Sequence, residues 1–107
     1  MTVVHYVAWF FGGAFLANAI PHVVAGALGR AFQTPFATPR GEGLSSSTVN
    51  VLWGFLNLGV AWALLVRTGS FDLRAWDHSL DAAAGGLLMA LFHARHFGRF
   101  HGGNSPA

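Results

Sequence analysis

Residues 49–66 read VNVLWGFLNLGVAWALLV, an uninterrupted run without Asp, Glu, Lys or Arg. As a helix the run covers about 27 Å at 1.5 Å of rise per residue, close to the thickness of a bilayer's hydrocarbon core. Ser45, Ser46, Ser47 and Thr48 stand before it as N-cap candidates, and Arg67 with Gly69 closes it. The stretch therefore predicts a transmembrane helix over residues 48–67. Toward the N-terminus, residues 3–28 are also free of formal charge and exceed the roughly 20 residues that a crossing needs. They predict a first span. No basic residue precedes them and the apolar run is too long for a signal peptide's h-region, so the segment is expected to be retained. Toward the C-terminus, residues 76–97 predict a third helix. Only Ala82 to Phe92 is free of ionisable groups there, which puts Asp77 and Asp81 near one headgroup layer and His93, Arg95 and His96 near the other. Phe71 and Trp76 suit an interfacial belt.

The composition agrees with an all-α membrane protein. The 107 residues are 53% hydrophobic and only 9% charged, against roughly 25% charged in soluble domains, and the mean hydropathy is +0.48. Six Arg and no Lys give a net charge of +2, too few cations for a nucleic-acid footprint. The absence of cysteine excludes disulfides, thiolate nucleophiles and thiolate metal sites. Residues 1–97 read as one helical domain and residues 98–107 as a flexible polar tail. Residues 29–43, with Pro35, Pro39, Gly41 and Gly43 among Phe32, Gln33 and Phe36, read as an irregular interfacial loop. Arg30, Arg40, Arg95 and Arg99 fall on the side of this loop and Arg67 and Arg74 on the other. The positive-inside bias then places the N-terminus outside and the C-terminus in the cytoplasm. Heavy Ala, Gly and Arg usage without Lys suggests a bacterial plasma membrane.

An up-down-up path brings the end of the first helix, the start of the second and the end of the third to one membrane face. Asn18 and His22 are four residues apart on one helix face, and Asn50, Gly54, Asn57 and Ala61 form a stripe on the second helix. Ala82, Gly86, Met89, His93 and His96 come close to one face of the third. Asn18, His22, Asn50 and Asn57 thus define a polar seam among small residues, the composition that lets helices approach and hydrogen-bond in lipid. His22, His93 and His96 are the candidate cofactor ligands, able in principle to hold a transition metal or a haem iron. Pro21 should free the carbonyl of Ala17 from its helical donor. On the opposite face Asp77 and Asp81 are expected to pair with Arg67 or Arg74 and to favour the third helix's N-terminus.

Nothing in the chain points to an enzyme. Glu42 is the only glutamate, and no Gly-rich phosphate loop, HExxH or nucleophile elbow occurs. The length is close to that of small multidrug carriers, four-span chains with a glutamate inside the first helix. Here no glutamate lies within a span, so no site carries across. The expected function is a small polytopic membrane protein acting through helix packing, as a homo-oligomer or as an accessory subunit bound to other membrane helices. The alternatives are a histidine-based metal or haem module and a small transporter or channel. The runs Asn18-Ala19-Ile20-Pro21-His22, Phe32-Gln33-Thr34-Pro35-Phe36 and Asn50-Val51-Leu52-Trp53-Gly54 are the most distinctive in the chain.

Overall fold

The structure, a computed structural model, describes residues 2–105 and is mostly helical. In chain order the elements are α1 (Val3–Ala27), β1 (Phe32–Gln33), β2 (Leu44–Ser45), α2 (Ser47–Val66), α3 (Trp76–His96) and the single turn α4 (Gly98–His101). The three long helices lie within a residue of the expected bounds, and local chemistry marks the starts of the first two. Thr2 caps α1 and Ser46 caps α2, each accepting from a backbone N–H in the first turn. Gly29, at φ +74°, terminates α1 in the left-handed conformation while Arg30 N–H returns to Ala25 O at 2.8 Å. Pro21 does not end the helix; α1 runs through it.

α1 and α2 are long and apolar enough to cross a membrane. α3 matches them in length, but Asp77, Asp81 and Arg95 lower its hydropathy, and it does not meet that test. The loop expected to be irregular contains a short antiparallel ribbon, with Phe32 opposite Ser45 and Gln33 opposite Leu44. The Thr34 hydroxyl and Ser45 hydroxyl lie 2.5 Å apart beside it. Where the sequence suggested a frayed tail, Gly98–His101 make one helical turn and Asn104 donates to Ala94 O at 2.9 Å. Residues 106 and 107 of that expected tail lie outside the described residues.

α1 is the central helix. It packs along both α2 and α3, which scarcely touch each other. The close approaches are made by glycine. A Cβ on Gly13 would stand 1.8 Å from Ala82 O, and one on Gly85 would stand 1.8 Å from Phe10 O, so these positions set the α1–α3 spacing. Gly26 and Gly54 do the same against α2, near Ser47 O and Val23. Gly85→Ala should therefore destabilise the bundle by roughly 1–3 kcal/mol through overpacking. Gly59→Ala, where nothing lies within 4 Å, should be neutral or slightly stabilising. Thermal unfolding followed by circular dichroism in mild detergent separates the two.

Candidate functional site

Two side-chain networks join the helices on the side of the β1–β2 loop. In the first, Asn57 Nδ2 donates to Trp53 O one turn back at 2.8 Å, and its Oδ1 accepts from Asn18 Nδ2 at 2.8 Å. Asn18 Oδ1 then lies 2.8 Å from His93 Nε2. The Trp53 carbonyl can only accept, which orients the Asn57 amide, and Asn57 in turn orients Asn18. His93 must therefore donate from Nε2, and in its neutral form Nδ1 carries the lone pair. One chain of amides thus runs from α2 through α1 to α3.

The second network centres on Asn50, which is wholly buried. Its Nδ2 faces the carbonyls of Phe32, Ser45 and Ser46 at 3.2, 3.2 and 3.0 Å. These three acceptors leave Oδ1 to accept from His22 Nδ1 at 2.7 Å. His22 then presents a bare Nε2 in its neutral form. The ring stands edge-on to Phe32 and Phe97 at centroid distances of 5.5 and 6.2 Å.

A cavity of about 320 Å³ lies between these networks and the loop, lined among others by Asn18, His22, Gln33, Arg40, Trp53, His93 and Phe97. The side-chain nitrogens and oxygens sealed without a partner among the described residues are His5 Nδ1, Trp53 Nε1 and Asp81 Oδ2. His22 Nε2 and His93 Nδ1 are not among them, and both rings belong to the cavity wall.

The expected three-imidazole site is corrected at His96. Its Nε2 lies 2.7 Å from Gly41 O and its Nδ1 3.1 Å from an Arg99 guanidinium nitrogen, so both ring nitrogens are engaged. This ring ties α3 to the loop. Among the described residues no group of three or more His, Asp or Glu side chains is placed to hold a metal ion. The expected Asp–Arg pairing is also corrected. Asp77 accepts from the Tyr6 hydroxyl at 2.6 Å and lies 3.8 Å from His78 Nε2, whereas Arg67 stands over the Trp62 ring at 5.9 Å. Among the described residues neither Asp77 nor Asp81 makes an ion pair with Arg67 or Arg74. The reason is orientation: Asp77 looks toward the first turns of α1, while Arg67 follows its own helix.

The sequence pointed to His22, Asn18, Asn50, Asn57 and His93, and the structure brings all five to the two networks. It did not single out the loop residues that complete the site. Gln33 accepts from His101 Nε2 at 2.9 Å, and Thr34 is buried beside it. The distinctive run around Phe32 was the available signal, without a partner to which it could be assigned. At the other end of the bundle, Trp9 is fully buried, donates to Thr68 O at 2.8 Å and packs on His78 at 4.3 Å.

Comparison with protein-family models, with curated proteins and with solved structures finds no significant match. The functional reading therefore rests on this chain's own residues.

Asn50→Ala should cost roughly 1–3 kcal/mol, since it strands buried carbonyls and the His22 N–H. Asn50→Asp should cost at least as much, because it keeps the shape but sets an acceptor against three carbonyl oxygens. Unfolding midpoints of the two variants in detergent check this, and a silent Asn50→Asp would contradict the assigned amide orientation.

Proposed function

We propose that the chain is a small polytopic integral membrane protein that acts through helix packing, as a homo-oligomer or as an accessory subunit of a larger membrane complex. The observation that carries the reading is the inverted burial. The buried apolar side chains are Trp9 and four alanines, Ala14, Ala19, Ala25 and Ala61, while His22, Gln33, Thr34, Asn50, Asn57 and His78 are buried beside them. Large apolar residues such as Phe11, Ile20, Leu52, Phe55, Leu88 and Phe92 point outward, each at least half exposed. Water-soluble folds bury Ile, Val, Leu and Phe and seldom bury Asn or His. Lipid reverses the preference for the surface and favours small and hydrogen-bonding residues between helices.

α3 takes the third crossing in this reading despite its lower hydropathy. It runs alongside α1 from the Tyr6–Asp77 contact to the Asn18–His93 contact, so it shares the depth of α1, and its charged residues fall near its ends. Arg30, Arg40, Arg95 and Arg99 favour a cytoplasmic loop side and an external N-terminus, in a bacterial plasma membrane. Because α2 and α3 lean on α1 and not on each other, broad apolar faces are left for lipid, a second copy or a partner's helices.

Two measurements test this. The protein should stay in the membrane pellet after alkaline carbonate extraction. In mild detergent, light scattering should give a mass above that of one chain, or a defined membrane protein should co-purify. A strictly monomeric, partner-free particle would remove the helix-packing function while leaving the membrane assignment intact.

A second reading, ligand binding at histidine, is favoured by the two imidazole nitrogens that the networks leave uncommitted at the cavity. It now rests on His22 and His93 without His96. An absorption spectrum taken oxidised and dithionite-reduced, with elemental analysis, decides whether a haem or a metal is held: Soret and alpha bands or stoichiometric metal support it, and a colourless, metal-free protein excludes it.

A further inference from the structure

Packing both outer helices on α1 leaves a cleft between them. α2 and α3 scarcely touch, and the cavity of about 320 Å³ has Asn18 and His22 of α1 at its floor, Trp53 of α2 on one wall and Phe92 and His93 of α3 on the other. The loop residues Gln33 and Thr34 cover its end. Phe92 is 59% exposed, so the α3 wall reaches the outer surface of the bundle and the cleft opens sideways. Asn18 bonds Asn57, which stands at the middle of α2, and this sets the floor near mid-span. On the membrane reading, on which this inference rests, the mouth faces hydrocarbon and not the headgroup layer. What enters is dissolved in the bilayer.

Two deeply buried side chains keep an unused atom open to the cleft. His22 is 2% exposed and Gln33 4%. Asn50 takes His22 Nδ1 and His101 takes Gln33 Oε1, which leaves His22 Nε2 and the Gln33 amide nitrogen without a partner among the described residues. Neither atom is sealed, so the small open area of each residue includes it, and both residues line the cleft. The first accepts and the second donates, a pair that one hydroxyl group satisfies. On the α3 wall His93 Nδ1 offers a second lone pair, because Asn18 engages Nε2. A metal ion would be opposed by the Gln33 amide hydrogens. The rings of Phe32, Trp53 and Phe97 stand edge-on to His22 at centroid distances of 5.5, 6.4 and 6.2 Å, a surround that suits a flat ring. The volume lies at the small end of ligand sites. We infer that the cleft binds the ring of a lipid-soluble quinol, which gives the histidine-ligand reading a neutral organic ligand in place of a haem or metal. One hydroxyl lies between His22 Nε2 and the Gln33 amide, the other donates to His93 Nδ1, and the tail leaves past Phe92. The reduced form is selected, because a quinone's carbonyl oxygens would meet the imidazole lone pairs with no hydrogen to share.

Tetramethylhydroquinone and its dimethyl ether isolate the hydroxyl contribution, because they share the ring and the oxygen positions while the ether has no hydrogen to donate. Anaerobic isothermal titration calorimetry of the full chain in lipid nanodiscs, with empty nanodiscs subtracted for partitioning, should show about a tenfold preference for the quinol, the scale of one or two net hydrogen bonds. The oxidised quinone should bind no better than the ether. His22→Asn keeps an amide donor for Asn50 and His93→Gln keeps one for Asn18, while each removes the uncommitted lone pair. Both should bring the preference toward parity. Equal binding of quinol and ether by the unmodified chain, a comparison that needs no variant to fold, overturns the proposal. So does quinol heat no greater than that of empty nanodiscs, which would mean a cleft filled by water only. A preference for the quinone, or one for the quinol that is unchanged in both histidine variants, overturns the assigned donors and acceptors. A haem or stoichiometric metal in the purified protein would occupy the lone pairs and likewise overturn it. Carbonate extraction reads the membrane assignment separately, so its failure is distinguishable from failure of the quinol site.

Discussion

The amide of Asn18 hydrogen-bonds two other helices at once. Its Nδ2 donates to Asn57 on α2 and its Oδ1 accepts from His93 on α3, both at 2.8 Å. Since α2 and α3 scarcely touch, their relative register is transmitted through α1, and Asn18 is where the transmission is directional. An amide is suited to this because it offers a donor and an acceptor on opposite sides of one planar group. A Leu in its place would pack, but would leave Asn57 Oδ1 and the His93 N–H without partners inside the bundle. The neighbouring Asn50 has a related task, drawing the ribbon residues Phe32 and Ser45 onto the start of α2.

These hydrogen bonds require backbones that come close, and glycine supplies the approach. Gly13 and Gly85 let α3 lie directly against α1, and Gly26 and Gly54 do so for α2. Small residues and amides are therefore two parts of one packing solution. In water such an interior would bury little apolar area and would fold weakly. In lipid the same interior is favourable, because apolar side chains gain little by turning inward and an unpaired polar group costs more. The residues between the helices and those around them are thus both consistent with one solvent.

The polar interior also confers chemical identity on its histidines. Asn50 and Asn18 engage opposite nitrogens of His22 and His93, so two rings of the same type that line one cavity are held in opposite tautomers. His96, three residues from His93, is fully engaged by Gly41 and Arg99. Sequence spacing suggested that His93 and His96 would act together. The loop separates their roles, because Gly41 comes within reach of one ring and not the other.

The sequence by itself determined the helices, their ends and the polar residues that line their facing sides. These follow from local causes: runs of apolar residues at helical length, Ser and Thr at the starts, Gly29 at an end, and four-residue spacings such as Asn18 with His22. Only the tertiary structure decided which helix stands in the middle, which partner each amide selects and where the carboxylates turn. Asp77 was read as the partner of an arginine and is instead the acceptor for Tyr6, from a segment 71 residues away in the chain. The ribbon at Phe32 and Ser45, the loop carbonyl on His96 and the cavity itself arise from contacts between distant segments. A hydrogen bond between such segments depends on helix crossing and on distances of a few tenths of an ångström, which no spacing within one helix encodes.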